Sequence, residues 1–276
     1  MGIKVRALCV AEMAVPVSAV LSNLGGNIPP GVSIHGITKV EWSDGTVTDG
    51  VKHPGCVYYI GGAAKMILVD TGVGDFDRVR AVRQRRGDRF YLKSKPEWDL
   101  ATQLRTLDVE PDDIEIVIST HLHWDHVGGN TLFRQARFYA QKDDVPLALT
   151  GPRYAPHFFP EMAGCITAVA DRLVLLDGDA EIVPGVEVWK VGGHSPGSQV
   201  VAVDTEKGVV ALANDVINKY ENLEYDWPGP TGNMWNIGDL LRAHARLKRQ
   251  ADIVIPGHDW KVWDGYPEGK ITQASG

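Results

Sequence analysis

Apolar and polar residues alternate along Ile3-Lys4-Val5-Arg6-Ala7-Leu8, the period of a half-buried strand. With the Asp44-Gly45 turn signal inside Trp42–Val47, this predicts an antiparallel β region over residues 3–60. A Gly-, Asn- and Pro-rich loop is expected at Ser22–Gly36. Val57–Ile60 and Met66–Val69 read as two strands joined by a tight turn. The period lengthens at Glu97–Leu107, where Trp98, Ala101, Leu104 and Leu107 share one face of an amphipathic helix. Ile114–Ile118 reads as a buried strand, and Arg137–Ala140 as another. Helical turns are expected at Asp143–Leu149 and Glu161–Ala170, on either side of a loop at Gly151–Pro160. The second half repeats this grammar. Strands are expected at Leu173–Leu176, Val186–Val191, Gln199–Val203, Val209–Ala213 and Ile253–Ile255, with a helix over Ile237–Arg249. Strands and helices are interspersed without a composition break, which predicts one α/β domain over 1–276.

A chain of 276 residues can bury a substantial core, and 44% apolar with 23% charged residues excludes a mainly disordered one. The net charge of −7 argues against a broad nucleic-acid-binding surface. Cys9, Cys56 and Cys165 are odd in number and far apart, which fits a reducing compartment and supplies no disulfide framework. No run approaches the ~20 apolar residues of a membrane span. Glu12 and Pro16 interrupt the apolar Ala7–Leu21, so a cytoplasmic location is expected ahead of export. Residues 76–95 are strongly basic, with only Asp77 and Asp88 opposing. They read as a solvated helix face in preference to a cationic lid over an anionic substrate.

The chemistry concentrates in His121-Leu122-His123-Trp124-Asp125-His126, directly after the 114–118 strand. Three of the nine histidines of the chain fall in this hexapeptide beside an aspartate, so metal binding outweighs a polar loop. Asp70-Thr71-Gly72, Gly193-His194-Ser195-Pro196-Gly197, Asn214-Asp215 and Pro256-Gly257-His258-Asp259 also follow strands. Each alone is ordinary turn chemistry. Taken with the hexapeptide, His194, Asp215 and His258 give five His and two Asp at one kind of structural punctuation. Seven ligands suit two metals, with His121, His123 and His194 on one and Asp125, His126 and His258 on the other. Asp215 would bridge them. Zinc is the expected metal, with Mn²⁺, Fe²⁺ and Co²⁺ as alternatives. Such a pair shares a hydroxide nucleophile and polarises a carbonyl.

In order from residue 70 to 258, these motifs resemble the metallo-β-lactamase-fold superfamily. The resemblance implies a four-layer αβ/βα sandwich, two mixed β-sheets flanked by helices, with a dimetal site between the sheets. His258-Asp259 and the Ile67–Gly72 lead-in are similar to the N-acyl homoserine lactonase branch. That branch commonly places a tyrosine three residues after the bridging aspartate. Here Asn218 stands there and Tyr220 is the nearest tyrosine, so either is a candidate to assist the substrate carbonyl. Asp125 is the expected proton shuttle, and Asp70 is expected to orient a ligand. The expected substrate is a small molecule with a carbonyl ester, a lactone first, with neither nucleic acid nor membrane as partner and a homodimer left open. Thioester hydrolysis of the hydroxyacylglutathione hydrolase kind, or hydrolysis of another cyclic ester or amide, would use the same ligands. A mononuclear iron dioxygenase would leave Asp125, His126 and His258 idle, and a flavo-diiron role would need a flavin domain. Residues 216–236 read as a long structureless loop. Its aromatics either wall an apolar pocket or pin the loop to the core, and Trp124 has the same two readings. Ser195, followed by Pro196-Gly197, reads as turn chemistry and not as a nucleophile.

Overall fold

A computed structural model describes residues 2–17, 34–152, 155, 157–228 and 234–272. The loop expected at Ser22–Gly36 therefore lies, up to residue 33, outside the described residues. The first sheet holds β1 (Lys4–Pro16), β2 (Ile37–Glu41), β3 (Val47–Gly61), β4 (Ile67–Val69), β5 (Tyr91–Lys93), β6 (Ile116–Ile118), β7 (Arg137–Gln141) and β8 (Leu173–Leu176). Its order is β5-β1-β3-β4-β6-β7-β8, with β2 beside β3. The second holds β9 (Ala180–Val183), β10 (Val186–Lys190), β11 (Gln199–Thr205), β12 (Gly208–Asn214) and β13 (Ile253–Pro256), in the order β13-β12-β11-β10-β9. Both are mixed. β4, β6, β7 and β8 run parallel, as do β12 and β13, while the other pairs are antiparallel.

Strand alternation builds the layers. Val5, Ala7, Tyr58 and Ile60 turn to one face and pack with Val188, Val201, Val203 and Leu212 of the second sheet, forming the core between the sheets. Leu8, Val10 and Val57 turn to the other face and meet Leu100 and Leu104. On the far side, Val200, Ala202 and Ala211 meet Leu240, Ala243 and Leu247 of the helix Ile237–Gln250. These helical positions recur at the spacing of one apolar stripe, and Asn236 caps the helix by accepting from Asp239 N at 3.1 Å. The result is helix, sheet, sheet, helix. Truncating Leu240 would cost about 2–5 kcal/mol, as for large-to-small changes in packed cores.

Three elements differ from the sequence reading. Leu173–Leu176, expected with the second half, pairs in parallel with β7 as the edge of the first sheet. Apolar periodicity identifies a strand without naming its partner. The chain crosses between sheets just afterwards, where Gln141 Nε2 donates to Gly178 O (2.7 Å) and to Gln199 Oε1 (2.9 Å). The helix expected at Glu97–Leu107 is divided. A 3-10 turn at Pro96–Trp98 ends at Asp99, whose carboxylate caps Leu100–Arg105 by accepting from Thr102 N at 2.8 Å. Residues 216–236 are not structureless, because Tyr220–Glu224 is helical. One turn and a half is too short to show a helical period. Among the described residues, no helix is long and apolar enough to cross a membrane.

Candidate metal centre

The candidate ligands sit where strands of both sheets end at one edge of the sandwich. β4 runs into Asp70, β6 into Ser119-Thr120-His121, β10 into Gly192-Gly193-His194, β12 into Asn214-Asp215 and β13 into Gly257-His258. The backbone turns sharply there. Asp70 and Asn214 adopt positive φ (62° and 44°), a conformation that short polar side chains tolerate. Gly257 is required by close approach, since a Cβ there would lie 2.2 Å from Asn214 Oδ1. Gly257 N donates to Ile217 O (2.9 Å) and His258 N to Asn218 O (2.9 Å), which stitches the His258 loop onto the Asp215 loop.

His121, His123 and His194 form one buried group. His123 Nδ1 lies 2.9 Å from His121 Nε2 and 3.0 Å from His194 Nε2. Burial pushes all three imidazoles toward the neutral form, helped by neighbouring histidines at His121 and His123, and His194 falls to about 4. Three neutral imidazole nitrogens thus face one another.

Asp125, His126 and His258 form a second group. Asp215 lies between the two: its Oδ2 is 3.3 Å from His194 Nε2, and its Oδ1 is 2.8 Å from His258 Nε2 and 3.3 Å from His126 Nε2. Burial disfavours its charge, yet His258, His126 and His194 hold the carboxyl well below its ordinary range. Asp70 Oδ2 faces His126 Nδ1 at 2.9 Å, and Pro54 O accepts from His258 Nδ1 at 2.7 Å. These contacts fix both rings with Nε2 toward Asp215. Burial alone would lower the His126 pKa, but Asp125, Asp215 and Asp70 raise it well above the usual value, and Asp215 raises that of His258.

This arrangement fits a pair of divalent cations. His126 Nε2 and Asp215 Oδ1 are buried without a hydrogen-bond partner although they face each other. Buried orphans of this kind are costly unless something else engages them. A tetrahedral ion with nitrogen ligands at roughly 2.0–2.1 Å sets its donors about 3.3 Å apart, near the 2.9 and 3.0 Å spacings at His123. The donors are imidazole and carboxylate only, a set suited to zinc and its neighbours.

A cavity of about 310 Å³ opens onto both groups through His123, Asp125, Asp215 and His258. Met13, Val15, Ile34, Phe90, Trp124 and Trp227 make its apolar walls. Asn218 lines it, and its buried amide oxygen has no hydrogen-bond partner. Tyr220, the other candidate at this position, does not line it. Its ring packs against the core between the sheets, and burial raises the pKa of its phenol above the ordinary value. The 216–236 aromatics therefore divide: Trp227 walls the cavity while Tyr220 pins the chain to the core. Trp124 does both, lining the cavity and stacking on Phe159 at 5.7 Å. The basic segment is likewise not a solvated face throughout, since Arg83 and Arg89 line the cavity. Ser195 is structural, its hydroxyl donating to Asp144 Oδ2 at 2.8 Å.

Asp144 is the positioning residue that the sequence does not reveal. Its carboxylate also accepts from Leu122 N (3.1 Å) and Gly197 N (2.6 Å), tying the 121–126 loop to the 192–198 loop. Burial pushes it up to about 6, against the pull of those three donors. Lys142-Asp143-Asp144-Val145 carries no ligand spacing, and nothing local signals a buried carboxylate. Pro54 and Lys219 are equally silent in the sequence.

Residues 52–258 match the family model of the metallo-beta-lactamase superfamily. An N-acyl homoserine lactonase of Bacillus thuringiensis is 33% identical over 158 residues, a match spanning 56% of this chain and 60% of that protein. The chain thus spans less than two thirds of the length of this relative. An N-acyl homoserine lactonase of Bacillus cereus is 31% identical over 203 residues, covering 70% of this chain and 76% of that one. Among solved structures, an N-acyl homoserine lactone hydrolase with N-hexanoyl-L-homoserine at its catalytic metal centre superposes with a TM-score of 0.73 at 25% identity, over 95% of both chains. With two sheets flanked by helices and the donor groups at their shared edge, the chain belongs to the metallo-beta-lactamase superfamily.

Proposed function

We propose that this protein is a metal-dependent hydrolase that opens lactone rings. The observation that carries it is the Asp215 carboxylate set between two donor groups, one oxygen toward each, at the floor of a cavity. The lactonases among its relatives favour a cyclic ester as the substrate class. Two bound divalent cations, zinc first, would supply Lewis acidity and a water that ionises near neutral pH. His121, His123 and His194 would hold one, Asp125, His126 and His258 the other, with Asp215 shared. Asp70 and the Pro54 carbonyl keep His126 and His258 in the tautomer that leaves Nε2 as the donor. Asp125, on the cavity wall, takes the proton of the attacking water and returns it to the departing ring oxygen. Asn218 offers its amide N–H to the substrate carbonyl, a weaker donor than a phenol. The apolar walls exclude water and seat the substituent of the ring.

The test is metal analysis together with a hydrolysis panel of homoserine lactones, other lactones, a glutathione thioester and a β-lactam. Two metals per chain, lactone turnover abolished by chelation and restored by Zn²⁺, Mn²⁺ or Co²⁺ are the expected results. Turnover by metal-free protein, or a strong preference for the thioester, would overturn the reading.

A further inference from the structure

We propose that the cavity takes a substrate bearing an anionic substituent besides its scissile carbonyl, a carboxylate held by Arg83 and Lys219. The inference deepens the lactonase reading and rests on it. Arg83, Arg89 and Lys219 all line the cavity. Of the acids on its wall, Asp125 and Asp215 belong to the donor groups, and Glu221 pairs with Lys261 through Oε1 at 2.6 Å, while its buried Oε2 makes no hydrogen bond to Lys219 or to any other group among the described residues.

Neither inner cation is neutralised at close range among the described residues. Arg83 Nε is buried without a hydrogen-bond partner, and its ion pair with Asp88 is long, at 3.9 Å. The guanidinium is held over the rings of Phe90 (5.2 Å) and Trp124 (5.5 Å), two other wall residues, which fixes its place. Lys219 is only 9% exposed, and Nζ makes one hydrogen bond, 3.3 Å to His258 O. An ammonium carries three donors, so most of its capacity is unspent. A partly buried cation of this kind gains most from a carboxylate that supplies the missing acceptors. The apolar stretch of wall would seat a short chain between the ring and that carboxylate.

The experiment uses the metal-loaded full chain with two lactones of matched length, N-glutaryl- and N-pentanoyl-homoserine lactone. The glutaryl compound is expected to show about tenfold or higher kcat/KM, carried mainly in KM, with the ratio shrinking in 0.5 M salt. Arg83→Met and Lys219→Met should each cut that ratio severalfold. Arg83→Lys should retain most of it, as should Arg85→Met on the exposed helix face. A wild-type ratio near or below one, or a ratio unmoved in both Met variants, would overturn the proposal. If neither lactone is opened, the lactonase reading fails. Calorimetric titration with ring-opened N-glutaryl- and N-pentanoyl-homoserine then decides the anion site by itself: about tenfold tighter binding of the glutaryl compound, lost in Lys219→Met, supports it, and equal binding overturns it.

Discussion

Asp70 holds His126 from behind, with Oδ2 2.9 Å from His126 Nδ1. The same carboxylate accepts from the backbone N and the hydroxyl of Thr120, each at 2.7 Å, and from Asn214 Nδ2. One buried side chain thereby ties the residue before His121, the residue before Asp215 and the ring of His126. Asp70→Asn keeps the shape but replaces one acceptor with a donor, so one of these contacts must break. Metal affinity is expected to fall 10–100-fold while the fold persists, measured by competition with a chromophoric chelator. Unchanged affinity would remove Asp70 from the site.

Asp144→Ala leaves Leu122 N, Gly197 N and the Ser195 hydroxyl without their shared acceptor. At about 1–3 kcal/mol for each stranded donor, a loss of several kcal/mol is expected in denaturant unfolding.

Asp144 also sets a pH dependence. Its folded pKa of about 6 lies above the ordinary value of 3.8, so the folded state binds the proton more tightly than the unfolded one. Stability from this group is therefore present below about pH 4 and lost as pH rises toward 6, at about 1.4 kcal/mol for each pH step of one between those values. The stability of wild type minus that of Asp144→Asn should fall across that window. A difference that rises with pH would contradict the burial argument.

Gly257→Ala would drive a methyl group into Asn214, 2.2 Å from Oδ1 and 2.7 Å from the backbone. Relief requires moving the loop that carries His258. Beyond an overpacking cost of about 1–3 kcal/mol, metal content should drop from two toward one per chain, because the group holding His258 is disturbed and that of His121, His123 and His194 is not.

Trp227→Ala removes apolar wall without touching a donor residue. KM should rise for substrates with long acyl chains and change little for short ones, with kcat nearly constant. An equal effect on both would assign Trp227 to loop packing alone.

Much of this is legible in the chain because strand ends punctuate it. His121, His123, His126, Asp215 and His258 each follow a recognisable apolar run, and order along the chain carries the rest. What is not legible depends on contacts distant in sequence. Leu173–Leu176 shows its period but not its partner β7. Asp144 meets Ser195 across 51 residues, and Pro54 meets His258 across 204. Lys219 stands between two candidates for chemistry, Asn218 and Tyr220. Only the backbone path decides which of the three side chains turns into the cavity. The basic segment reads as a uniform face because composition does not distinguish Arg83, packed under two aromatic rings, from Arg85 in solvent.

The division of donors between the sheets has a mechanical consequence. His121, His123 and His126 leave the first sheet, whereas His194, Asp215 and His258 leave the second. Each group of donors spans that seam, so neither half of the chain owns a complete one. Bound metal would act as a rivet through both sheets, resisting their separation at the edge where substrate enters. Removing it should loosen that edge first, and slow amide exchange in Gly192–Gly197 and Thr120–His126 together would be lost before the helix-covered faces respond.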